Sequence, residues 1–233
     1  MVTVLPAFIK ERIYWRWVNV IWNFALSAYS FAGVVFTVPI LFTELSNNGL
    51  YFATCAPAPW YGFGYHGLFV ALFVYSKFFE LVDTFLLIIG KRPVMMLQWW
   101  HHATVLLYCW HSYTTQIGTG VWFATTMNYC VHSVMYFYFG ATQTGPALRK
   151  IVRPFAIYIT LIQLLQMVVG IFITVRAVMF QLEGRDCNVN KTNSILGLAM
   201  YASYLILFSK LFVENYILKK EGSVVPNGSK KSA

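Results

Sequence analysis

Charge is what this chain lacks. Only 11% of its 233 residues are Asp, Glu, Lys or Arg, against about 25% in a soluble domain. Acidic residues are the scarcer kind, 8 against 17 basic ones. No polar linker is long enough to separate two domains, so one domain is expected. The first 16 residues carry Lys10, Glu11, Arg12 and Arg16 and no short apolar core, which argues against a cleaved secretory leader. The 4 cysteines form no CxxC pair, so a zinc framework is excluded. The 5 histidines are too few for a membrane di-iron oxygenase. No metal site is expected.

What remains is apolar. Hydrophobic residues make up 58% of the chain and aromatics 18%, with 8 Trp, a composition suited to the interfacial belts of a membrane protein. Six apolar runs stand out, at 17–42, 65–90, 95–113, 119–140, 154–179 and 194–218. Most reach the roughly 20 residues that cross a bilayer as helix. The expected fold is all-α, a polytopic membrane helix bundle of six spans. It comprises a cytosolic segment at 1–16, a membrane domain at 17–218 and a cytosolic tail at 219–233.

Positive charge then assigns the sides. One side receives Lys10, Arg12, Arg16, Lys91, Arg92, Arg149, Lys150, Arg153, Lys219, Lys220, Lys230 and Lys231. The other receives Arg185 and Lys191. The bias sets both termini in the cytosol. It also accounts for the net charge of +9 without a nucleic-acid partner. Cys55 and Cys187 fall in two lumenal loops, where a disulfide is expected. Asn190-Lys191-Thr192 is a glycosylation sequon in a lumenal loop. A second sequon at Asn227 falls on the cytosolic side. The last four residues, Lys230-Lys231-Ser232-Ala233, have the form of a dilysine retrieval signal, which points to the endoplasmic reticulum membrane.

Against this background Gln98-Trp99-Trp100-His101-His102 is conspicuous. Ionisable side chains inside a membrane run are costly and mark a functional site by default. Gln98, His101 and His102 share one helical face. Lys77, Glu80 and Asp83 lie within two turns of the preceding run, and Asn128, His132 and Tyr136 share a face of the following one. Counted from the cytosolic ends at about 1.5 Å per residue, His101, His132, Asp83, Glu80 and Gln163 fall in one layer roughly 9–15 Å deep. Lys77 and Glu80 also fit a pair that merely neutralises its own charges. Asn128, Gln163 and Gln166 also fit polar helix contacts. Cys109 and Cys130 read more readily as small hydrophobes than as nucleophiles.

These residues carry a family resemblance. KFFELVDT at 77–84, QWWHH at 98–102, MNYCVHSVMY at 127–136, TLIQLLQ at 160–166 and YLILFSKLFVENY at 204–216 resemble the ELO/ELOVL fatty-acid elongases. The segments from Trp99 to Tyr113 and 127–136 look most like the branch acting on saturated and monounsaturated medium-to-long chains. The family usually has His where this chain has Gln98. It usually has seven helices, and here the first is expected to be absent.

The resemblance implies condensation of a fatty acyl-CoA with malonyl-CoA to a 3-oxoacyl-CoA, releasing CO2 and CoA, with no metal or redox cofactor. It implies His101 as acyl carrier, with His102 and His132 handling protons and the carbanion. Gln98, Lys77, Glu80, Asp83, Asn128, Tyr136 and Gln163 support them. Lys91, Arg92, Arg149, Lys150 and Arg153 suit the CoA phosphates. The acyl tail is expected on the lumenal side of the histidine layer, beside Cys109. Partners implied are the bilayer and the reductases and dehydratase of the elongation cycle, with a homodimer left open. Two other readings compete: a retinal-binding protein with Lys210 as Schiff-base lysine and Asp83 as counter-ion, and an iron-dependent lipid desaturase.

Overall fold

The computed structural model describes residues 9, 15–57, 63–114 and 121–218, with the side chains of 121 and 122 excepted. Lys10, Arg12, the basic tail positions, the dilysine pattern and the second sequon lie outside these residues.

Six long helices are present among the described residues. They are α1 (Arg16–Cys55), α2 (Gly64–Ile89), α3 (Met96–Thr114), α4 (Val121–Thr144), α6 (Ala156–Leu182) and α7 (Lys191–Phe212). A short elbow, α5 (Pro146–Val152) followed by a 3-10 turn at Arg153–Phe155, joins α4 to α6. A π-helical turn at Val213–Leu218 extends α7. The six apolar runs of the sequence each coincide with one long helix. By length and composition alone, three segments qualify as spans: Arg16–Cys55, Pro146–Leu182 and Lys191–Leu218. The other three carry the polar residues of interest: Lys77, Glu80 and Asp83 in α2, the histidine pair in α3, and Asn128 and His132 in α4.

Helix packing closes a ring. α1 packs on α2, α2 on α3, α3 on α7, α7 on α6, α6 on α4, and α4 back on α1. Outside the ring the surface is apolar, with Phe31, Phe42, Leu107, Leu165 and Ile206 all exposed. Inside it lie Lys77, Glu80, Asn128, His132 and Asn193, all buried. A water-soluble protein reverses this partition. A bilayer demands it, because lipid gives polar groups no partner.

Hydrogen bonds between side chains hold α3 to α7. Trp100 Nε1 donates to Ser203 Oγ at 3.0 Å, and the Thr104 and Tyr204 hydroxyls lie 2.6 Å apart. Ser112 donates to Asn193 Oδ1 at 2.9 Å, and Asn193 Nδ2 donates to the Tyr108 hydroxyl at 3.2 Å. Such bonds add roughly 0.6 kcal/mol each in membrane bundles. Four in register also set the rotation of α3, and so the face on which its histidines lie.

The two ends of the bundle differ. At one end Arg16 donates to the carbonyls of Gln143 and Thr144, capping the last turn of α4. At the other, Cys55 and Cys187 are joined as a disulfide across 132 positions. α1 is 40 residues, about 60 Å as helix, twice the hydrocarbon thickness. It stays within the bundle because Gly49, at φ 72°, breaks it. That left-handed conformation suits glycine alone at little cost. The turn beyond it brings Tyr51 edge-on to Phe180 and Cys55 to Cys187.

Candidate active site

α2 supplies one wall. Lys77 and Glu80 face α4, and Asp83, one turn past Glu80, reaches both α1 and α4. The Lys77 ammonium donates to Glu80 Oε1 at 2.6 Å and to Asn128 Oδ1 at 2.9 Å, and sits 4.1 Å from the Phe73 ring centre. Asn128 Nδ2 lies 3.2 Å from His132 Nε2, and His132 Nδ1 lies 3.4 Å from Glu80 Oε1. The four side chains make a closed circuit. In it His132 carries its proton on Nδ1, toward Glu80, and accepts from Asn128 on Nε2. Spacing along one helix suggested a self-neutralising pair. The fold joins that pair to a histidine on another helix.

Asp83 accepts two bonds, from Trp22 Nε1 at 2.6 Å and from the Tyr136 hydroxyl at 2.7 Å. The Tyr136 ring stands perpendicular to His132, their centres 5.3 Å apart. Asp83 thus fixes Tyr136, and Tyr136 packs His132.

α3 supplies the histidine pair. His102 Nδ1 and the buried Thr84 hydroxyl lie 2.9 Å apart, leaving His102 Nε2 for other work. The His101 ring lies between His102, at 5.6 Å, and Tyr204, at 4.8 Å. Among the described residues no side chain or backbone group hydrogen-bonds the His101 ring.

These groups enclose a chamber of about 660 Å³. Asp83, Gln98, His101, His102, Asn128, His132, Tyr136 and Gln163 all line it, together with Arg92. Lys77 and Glu80 stand behind the lining and act on it through His132 and Asn128. Gln163 donates to Met135 Sδ at 3.2 Å. Asn19, Leu87, Arg92, Gln143 and Asn215, also on the lining, belong to the Arg16 end of the bundle.

Other residues singled out in the sequence lie away from the chamber. Of the five loop cations assigned to CoA, Arg92 alone lines the chamber, while Arg149, Lys150 and Arg153 line a separate shallow concavity with Pro146 and Pro154. Spacing cannot tell which side of an elbow a cation takes. Cys109 does not line the chamber; it packs against the cluster of Phe69, Phe73, Val74 and Tyr129. The face it shares with Gln98 drifts toward α2 and α4 over three turns. Lys210 is exposed and paired with Glu214 at 3.8 Å, away from Asp83, so the Schiff-base geometry is absent.

Trp22, Asn19, Asn23, Thr84 and Tyr204 were missed as chamber or supporting residues. Asn19 and Asn23, at i and i+4 in an apolar run, carried a readable signal. Trp22 did not, since its role depends on a carboxylate 61 positions away.

Glu80, His101 and His102 place donor atoms within 4.8 Å of one another, a spacing compatible with a metal. The carboxylate there already holds the Lys77 ammonium at 2.6 Å. A divalent ion would have to displace or repel that cation.

A ring of helices that shelters three histidines and a carboxylate around one chamber defines an intramembrane enzyme. Residues 1–224 match the family model described as "ELO: GNS1/SUR4 family". The chain is 41% identical over 248 residues to fatty acid elongase 3 of Trypanosoma cruzi (strain CL Brener), covering 95% of this chain and 82% of that protein. It is 46% identical over 203 residues to fatty acid elongase 1 of Trypanosoma brucei brucei (strain 927/4 GUTat10.1), covering 85% and 65%. To very long chain fatty acid elongase 6 of Drosophila melanogaster it is 38% identical over 212 residues, covering 89% and 65%. The chain belongs to the ELO family of fatty-acid elongases.

Proposed function

We propose that this elongase, a condensing enzyme of the 3-oxoacyl-CoA synthase type, carries the acyl group on His101. A neutral ring nitrogen of His101 attacks the thioester carbonyl of acyl-CoA, and the CoA thiolate leaves with a proton. Malonyl-CoA then enters. Loss of CO2 leaves an enolate, which attacks the acyl carbonyl and releases the imidazole. The product is a 3-oxoacyl-CoA two carbons longer. His102, held by Thr84, and His132, held by Asn128 and Glu80, pass the protons and stabilise the enolate.

One observation carries the choice of nucleophile. His132 has both nitrogens engaged and His102 has one, whereas the His101 ring faces the chamber without a hydrogen bond among the described residues. Gln98 cannot titrate and serves to orient. Arg92, on the chamber lining, suits the CoA phosphates.

The preferred acyl chains, in this reading, are saturated and monounsaturated ones of medium to long length, on the likeness of residues 127–136 and of Trp99 to Tyr113. The charge bias places the Arg16 end in the cytosol and the disulfide end in the lumen. The endoplasmic reticulum is the proposed compartment, where the reductases and dehydratase of the cycle would take the product.

Incubation with acyl-CoA alone, followed by peptide mass spectrometry, tests the mechanism. The expected adduct is on His101, and His101→Ala should lose it together with condensation. An acyl group on Cys109 or Cys130, or full activity in His101→Ala, overturns the reading.

A further inference from the structure

We propose that the elbow between α4 and α6 is a binding site for the phosphate of an anionic membrane lipid, separate from the reaction chamber. The site consists of Arg149, Lys150 and Arg153.

The elbow is built to present these cations together. Pro146 stands at the start of α5 and Pro154 inside the 3-10 turn, each fixing its backbone torsion. Arg149 and Arg153 are four residues apart and so stack on one face. Arg149 is itself anchored, since its Nε donates to the carbonyl of Thr142 at 2.8 Å. Its terminal guanidinium nitrogens form no hydrogen bond among the described residues, and Arg149 lines a shallow concavity with Lys150, Arg153 and the two prolines. Among the described residues no carboxylate forms an ion pair with any of the three. Three clustered cations around a shallow concavity suit a phosphate.

The neighbouring side chains indicate where that phosphate comes from. Ile151, Phe155 and Tyr158 are 65%, 56% and 63% exposed, interleaved with the cations on the same short stretch. Apolar and aromatic groups alternating with cations at a helix end belong at the level of lipid headgroups. Arg92, by contrast, opens into the chamber. The nucleotide end of CoA is the other source of phosphate within reach, and the test separates the two.

The probe is native mass spectrometry of the full chain in detergent with added phosphatidic acid or phosphatidylcholine. Phosphatidic acid should be retained in preference, and more weakly as ionic strength rises. The triple variant Arg149→Gln/Lys150→Gln/Arg153→Gln should lose that preference by roughly a hundredfold, taking about fivefold for each cation near an anionic headgroup. Arg92→Gln should keep it. Saturating 3′,5′-adenosine bisphosphate, the nucleotide end of CoA, should not displace the lipid.

Equal retention of both lipids, or unchanged preference in the triple variant, overturns the proposal. Displacement by the nucleotide reassigns the phosphate to CoA and overturns it as well. Melting temperature of the triple variant checks that its fold is intact. If it does not fold, the single variant Lys150→Gln, whose side chain makes no anchoring bond, should show the fivefold loss. Acyl transfer to His101 in the same preparations reports on the condensing mechanism independently.

Discussion

Lys77 and Glu80 hold each other at 2.6 Å inside the bundle, and the same Glu80 oxygen faces His132. Removing either partner leaves the other as an uncompensated buried charge. Lys77→Met or Glu80→Leu should each cost on the order of 3–5 kcal/mol of stability. The double variant should recover much of that loss. Thermal unfolding in one detergent compares the three. Activity should stay low in the double variant, because His132 has then lost its partner on Nδ1. Full activity there would mean that the pair only neutralises itself.

The turn after α2 separates charge from backbone at Lys91. Lys91 adopts φ 47°, Lys91 N–H donates to Ile88 O at 3.0 Å and Arg92 N–H to Leu87 O at 2.9 Å, a Schellman arrangement. Glycine is the usual residue at that left-handed position. Lys91→Gly should therefore raise stability by about 1 kcal/mol in thermal melts. Arg92→Ala should raise KM for acyl-CoA with little change in kcat, since a phosphate contact binds ground and transition states alike. A fall in kcat at constant KM would give Arg92 a part in the chemistry.

Asn190 has two separable uses. It is the N-cap of α7, its side chain accepting from Thr192 N–H at 2.7 Å, and it begins a sequon. Asn190→Asp keeps the cap and abolishes any glycan. Asn190→Ala removes both and should cost about 1 kcal/mol. Gel mobility with and without glycosidase reports the glycan, and melting reports the cap. Equal stability of the Asp and Ala variants would show that the cap contributes nothing.

Chain length should depend on Tyr201 and not on Cys109. A small cavity shares Gln166 with the chamber and is also lined by Gly170, Thr174 and Tyr201. Tyr201 lies so close to Gly170 that an added Cβ would come within 2.6 Å of its ring. Tyr201→Ala should open this space and lengthen the products by at least one two-carbon step. Cys109→Trp should destabilise the bundle by about 1–3 kcal/mol through overpacking and leave the product profile alone. Fatty-acid profiling in an elongase-deficient host distinguishes them; an unchanged profile in a folded Tyr201→Ala places the tail elsewhere.

The sequence by itself determined the number of long helices, their approximate limits and the residues that had to face inward. The reason is the bilayer: it demands runs of about 20 apolar residues and penalises every polar group that faces lipid, so Lys77, Glu80, His101, His102 and His132 had to turn inward. Equal depth along separate helices then foretold that several of them would meet. Tertiary structure decided which partner each one takes. Asp83 was legible as a buried carboxylate, but its bonds to Trp22 and Tyr136 depend on helix rotation. So does the Lys77–Asn128–His132–Glu80 circuit, and so does the turning of Cys109 away from the chamber. Rotation is set by contacts between distant residues, such as Trp100 with Ser203, whose pairing leaves no period in the sequence.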